Sequence, residues 1–80
     1  MSNIEYSLHA QNVMEERGIS EYWVNLTVRE SDYNEVKQDN TTHYIKAIPE
    51  FGGRFLRVVV NVSVTPNRVV TVFFDRRIRR

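Results

Sequence analysis

The residues best suited to chemistry lie toward the C-terminus. Residues 54–80 hold seven Arg, no Lys and one acidic residue, Asp75, whereas residues 1–53 hold four Lys and Arg against nine Asp and Glu. A guanidinium presents a planar fork of donors that meets phosphate or carboxylate oxygens two at a time. The imbalance points to an anionic partner, or to an acidic helical half attracting a basic sheet half. Proton transfer near neutral pH falls to histidine, whose ordinary pKa lies there. His9 sits at the edge of an apolar helical stripe, where a single His is more often a hydrogen-bonded structural residue than a catalyst. With two His and no Cys, the chain has no thiolate nucleophile and little basis for a metal centre, and no cofactor is expected. Gly52-Gly53 reads as a turn between strands rather than a phosphate loop. Glu15-Glu16 reads as a solvated helix face, and Ser7 as a helix cap rather than a nucleophile.

The elements that must position these residues follow from periodicity. Leu8 to Arg17 reads as a helix, with Ser7 as N-cap and Gly18 as the residue that stops it. Ala10, Val13, Met14 and Arg17 share one face, so the stem of Arg17 is expected to pack there while its head reaches a polar rim. A second helix runs from Glu21 to about Glu30, with Ser20 as N-cap. It carries two stripes, Val24, Thr27 and Val28 on one side and Tyr22, Trp23 and Leu26 on the other. Burial on two sides is implied. The second stripe needs a long loop or another subunit to cover it, and Tyr22, Trp23 and Leu26 are the candidate homodimer contact.

Strands follow. Ile4-Glu5-Tyr6 fits a short first strand. Tyr33 to Gln38 alternates weakly and reads as an edge strand, and Asp39-Asn40 is a turn. Thr41 to Ile48 is the next strand, with Ile45 and Ala47 on one face and Tyr44, Lys46 and Ile48 on the other. Two strong strands close the chain, Arg54 to Ser63 and Arg68 to Asp75. Leu56, Val58, Val60, Val62 and Val64 form one aliphatic face, matched by Val70, Val72 and Phe74. Pairing both faces on one side requires paired residue numbers with an even sum, because a one-residue slip inverts every side chain. The preferred register sets Val58 opposite Phe74 and Arg57 opposite Asp75; the other sets Arg57 opposite Arg77. Opposite charges across strands favour the first. Helices followed by strands make an α+β fold, with two helices on one face of a four-stranded antiparallel meander. The other face, with Arg57, Asn61 and Thr71, is left open as a binding surface.

Eighty residues make a single domain, expected over residues 1–75 with a basic tail over 76–80. The first residues lack the basic and apolar segments of a signal peptide, and no apolar run nears the roughly 20 residues of a membrane span. A cytoplasmic protein with no membrane association is therefore expected.

Ser7-Leu8-His9-Ala10, then Met14, then Arg17-Gly18-Ile19, resembles the opening of a family of small bacterial domains that start Ser-x-His-Ala and end their helix with Arg-Gly-Ile. Leu56-Arg57-Val58-Val59-Val60 and Val70-Thr71-Val72-Phe73 resemble that family's last strands. The family is grouped with the RelE/ParE-like toxins, including BrnT-type ribonucleases. The resemblance implies two N-terminal helices on an antiparallel sheet, a metal-independent ribonuclease of a toxin–antitoxin module, and a small antitoxin protein as partner. Val13 stands where the family pattern has Arg, so one basic position on the helix is absent. RNA cleavage without a metal needs a base, a cation and an acid. His9 could take either proton role, and Lys46 and Arg57 could supply positive charge. Lys37, Arg76 and Arg77 could hold phosphates, and Tyr44 or Phe73 could stack a base. The alternative is a non-catalytic domain that binds nucleic acid or protein on the open sheet face.

Overall fold

A computed structural model describes residues 4–78 of the chain. Its elements are β1 (Ile4–Tyr6), α1 (Leu8–Arg17), α2 (Glu21–Arg29), β2 (Tyr33–Val36), β3 (Thr41–Ile48), β4 (Arg54–Asn61) and β5 (Asn67–Phe74). The fold is α+β, two helices with a five-stranded mixed sheet of order β1-β5-β4-β3-β2. Strands β2 to β5 form the expected antiparallel meander. The short first strand adds a parallel pair, β1 with β5, at the sheet edge. Among the described residues no helix is long and apolar enough to cross a membrane.

Local chemistry sets the helix ends. The Ser7 Oγ accepts from the Ala10 N–H at 3.0 Å and donates to the Val70 carbonyl at 2.9 Å, so one hydroxyl caps α1 and ties it to β5. Gly18 takes the left-handed conformation (φ 67°), and the Ile19 N–H then closes on the Met14 carbonyl at 2.9 Å. Ala10, Met14, Ile19 and Val24 join Ile48, Leu56, Val58, Val60, Val69 and Val72 in one core. Arg17, expected to pack along the apolar stripe, is exposed in the last turn of its helix. Ser20 stands at the N-cap of α2 without a side-chain capping bond, so the backbone alone begins that helix.

The pairing of β4 with β5 differs from both expected registers. Leu56 faces Phe74, Arg57 faces Phe73, Val58 faces Val72 and Val59 faces Thr71. Beyond an irregularity at Val59/Val60, Val60 faces Val69 and Asn61 faces Arg68, so Val70 is the extra residue of a bulge. The cause is twofold. Strand β4 ends at Asn61, leaving Val62 41% exposed in a longer connection. Ser7 also draws both the Val69 and Val70 carbonyls toward β1, through its N–H at 3.0 Å and its hydroxyl at 2.9 Å. The bulge reverses the expected faces, with Val69 fully buried and Val70 36% exposed. Val69→Ala should therefore cost about 2 kcal/mol by opening a core cavity. Val70→Ala should stay within about 0.5 kcal/mol. Urea titration of the two variants checks this, and equal losses would contradict the bulge.

Candidate functional site

Alternation places the odd-numbered residues of β3 and β4 on the face away from the core cluster. Register then builds a row across the sheet. Glu35 of β2 pairs with His43 of β3, Ile45 pairs with Arg57 of β4, and Arg57 pairs with Phe73 of β5. The segment after β5 turns back over this row. The Asp75 N–H donates to the Phe55 carbonyl at 2.8 Å, which fixes the start of the turn.

Arg57, expected on an exposed face, is 7% exposed because this turn and its neighbours enclose it. Its Nε donates to Asp75 Oδ2 at 2.8 Å, and its Nη1 donates to Glu35 Oε1 at 3.1 Å and to His43 Nδ1 at 2.9 Å. Arginine stays protonated, so His43 Nδ1 must accept, and the neutral ring carries its hydrogen on Nε2. Asp75 is thus the ionic partner of Arg57, as favoured from charge, but it reaches from a diagonal position rather than the facing one. It also accepts the Arg77 backbone N–H at 2.9 Å and side-chain Nε at 3.3 Å. Lys37 Nζ lies 3.0 Å from Glu35 Oε1. Three cations, Arg57, Lys37 and Arg77, therefore share two carboxylates.

The titrating groups respond accordingly. The hydrogen bonds from Arg77 and Arg57 outweigh burial and hold the Asp75 carboxyl down at about 2. The hydrogen bonds from Lys37 and Arg57 keep Glu35 below its ordinary value. Burial, then the charges of Arg57 and Lys37, push His43 below its ordinary value, so it is neutral at pH 7. These side chains, with Phe73 and Ile78, line an open groove of about 410 Å³. Arg57 lines this groove beside Lys37 and Arg77.

The residues expected from sequence to act together do not all meet here. Of His9, Lys46 and Arg57, only Arg57 lines the groove. His9 is exposed on α1, whose buried residues pack into the core on the other side of the sheet. Lys46 also alternates to that side, facing Leu56, with its Nζ 3.9 Å from Asp32 Oδ1. Tyr44 packs against the core and cannot stack a base in this groove. Lys37 and Arg77 do line it, and Arg76 lines a neighbouring one. Arg79 and Arg80 of the basic tail lie outside the described residues. Trp23 packs edge-on against Phe51 at 5.7 Å, so the turn after β3 covers part of the second α2 stripe. Leu26 is half-buried and Tyr22 is 62% exposed.

Glu35 and His43 are the functional candidates that residue types alone miss. Their signal is positional. Pairing the strands about the Asp39-Asn40 turn sets Glu35 opposite His43, on the same face as Arg57.

Over residues 6–74 the chain matches the family described as a domain of unknown function (DUF4258). No curated protein and no solved structure matches it.

Proposed function

The chain belongs to the DUF4258 family, whose description carries no function, and we propose that its open sheet face is the site of a metal-independent ribonuclease. The observation that carries this reading is the convergence of Glu35, His43 and Arg57 on one groove. Perturbed titrating groups gathered in a cleft are the usual mark of acid–base chemistry. Glu35, ionised in the free protein, takes the proton of an RNA 2′-hydroxyl. The 2′-oxygen attacks phosphorus, and the bond to the 5′-oxygen breaks. Arg57 offsets the charge that builds on the non-bridging oxygens, together with Lys37 and Arg77, which line the same groove. His43, protonated at Nδ1 once that nitrogen has parted from the Arg57 Nη1–H, gives its Nε2 proton to the departing 5′-oxygen. The products are a 2′,3′-cyclic phosphate and a 5′-hydroxyl. Phosphate in the groove opposes the repulsion that Arg57 and Lys37 exert on charged His43, which makes the acid form easier to reach. Phe73, facing Arg57, offers a ring for a base.

Two helices with an antiparallel meander agree with the resemblance to RelE/ParE-like toxins, and a small antitoxin protein would be the natural partner for this face. A second reading, binding without cleavage, is favoured by one observation. Asp75 and Glu35 already neutralise much of the charge of Arg57.

The pH dependence separates the two. Glu35 must be ionised, and its pKa lies below 4.5, so kcat/KM rises with pH below that value. His43 must be protonated, and its pKa lies below 6.5, so kcat/KM falls as pH rises toward and past that value. The expected profile is a bell on the acid side of pH 6.5, unchanged by His9→Ala. Activity that climbs through neutral pH contradicts these assignments, and intact RNA at every pH favours binding alone.

A further inference from the structure

We infer that a second groove, at the end of the sheet where β4 begins and β5 finishes, is a nucleotide subsite that takes the next phosphate of a bound RNA strand. This inference rests on the reading of the first groove as an RNA site. The second groove has a volume of about 470 Å³ and shares Asp75 and Ile78 with the first, so the two adjoin over the C-terminal turn. Its charged residues are Arg54 and Arg76 beside Asp75. Asp75 is already bound to Arg57 and Arg77. Among the described residues neither Arg54 nor Arg76 has a carboxylate within ion-pairing distance. The cations of the first groove share carboxylates, whereas these two do not.

Geometry adds to charge. The Arg54 guanidinium carbon lies 5.7 Å from the centre of the Phe74 ring, and Phe74 is backed by Phe51 at 5.1 Å. A guanidinium laid over a ring keeps its N–H groups at the edge, free for phosphate oxygens. Phe55, half-buried in the same wall, offers a second aromatic surface to a base or ribose. The Gly52-Gly53 turn has open space where side chains would otherwise stand, so the backbone wall stays low. Arg54 and Arg57 leave opposite faces of β4, so the two grooves meet around the end of the sheet, where both are lined by Asp75 and Ile78. A bound single strand passes from one groove to the other around that end.

The test is fluorescence anisotropy with a fluorescein-labelled decauridylate bearing 2′-O-methyl groups throughout, which removes the nucleophile and prevents cleavage. An Arg54→Ala/Arg76→Ala double variant should bind it at least tenfold more weakly than the wild type. Its plot of log affinity against log salt should be shallower by about 0.7, the share of one lost phosphate contact on a single strand. Arg17→Ala, exposed on α1, should bind as the wild type does. Equal affinity and equal salt slope in the double variant would overturn the subsite, as would a wild type that does not bind. Cleavage of unmodified RNA, run in parallel, reports the first groove separately. Cleavage with no effect of the double variant on probe binding removes the subsite alone. Probe binding that depends on Arg54 and Arg76, with RNA left intact, removes the cleavage reading alone.

Discussion

Asp75→Ala is expected to lower the unfolding free energy by about 3 kcal/mol, the low end of the cost of removing one partner from a buried ion pair. For a domain of this size that corresponds to a drop in Tm of roughly 12–24 °C. The residue is 5% exposed and binds two arginines, one of them, Arg57, itself buried. Without it the Arg57 Nε has no acceptor, although Glu35 and His43 still take Nη1. That retained pair is why the cost stays near the lower bound. An Arg57→Met/Asp75→Leu double variant removes the charge together with its partner, and it should lose less than the two single losses added together. The pH dependence has a definite sign. The folded-state pKa of Asp75 is lowered to about 2 from an ordinary 3.8, so its stabilisation is present above 3.8 and is lost as pH falls toward 2. Asp75→Ala should flatten the acid limb of the stability curve. Urea denaturation between pH 2 and 7 measures both effects, and a loss under 0.5 kcal/mol would make the pair dispensable.

His43→Ala and Glu35→Gln are each expected to cut RNA cleavage by about 10²–10⁴-fold, the usual contribution of a positioned acid or base. Neither change should unfold the domain. Glu35→Gln keeps an oxygen for Arg57, and His43→Ala removes one acceptor worth about 1 kcal/mol. Melting curves run beside the kinetics separate lost chemistry from lost fold. The double variant should be scarcely worse than either single one, because residues acting as a unit are not additive. A loss in proportion to unfolding would assign both residues to structure only.

Much of the scaffold was readable from sequence because each signal had a local cause. Ser7 and Gly18 bracket α1, the stripe of Val24, Thr27 and Val28 fixes the inner side of α2, and β3 runs over the expected residues. The bulge was not readable. Val69 and Val70 are alike in type, and what separates them is a hydroxyl 63 positions away from Val70. Strand β3 resisted for another reason. Ile45 and Ile48 are both fully buried on opposite faces, so alternation cannot tell core from surface. At the site, the attraction of Arg57 and Asp75 was readable as charge complementarity. Convergence of His9 and Lys46 with Arg57 was not a consequence of any spacing, and the sheet divides them. Glu35 and His43 emerge only when two strands are paired about their turn.

In the proposed mechanism Glu35, His43 and Arg57 cleave RNA through its own 2′-hydroxyl. Mass spectrometry of the end groups tests it most directly, on RNA incubated with the purified protein in excess EDTA at a pH between 4.5 and 6.5. Fragments ending in 2′,3′-cyclic phosphate and beginning with 5′-hydroxyl, absent with His43→Ala, are the predicted result. Intact RNA, fragments with 5′-phosphate ends, or an equal yield from His43→Ala would contradict it.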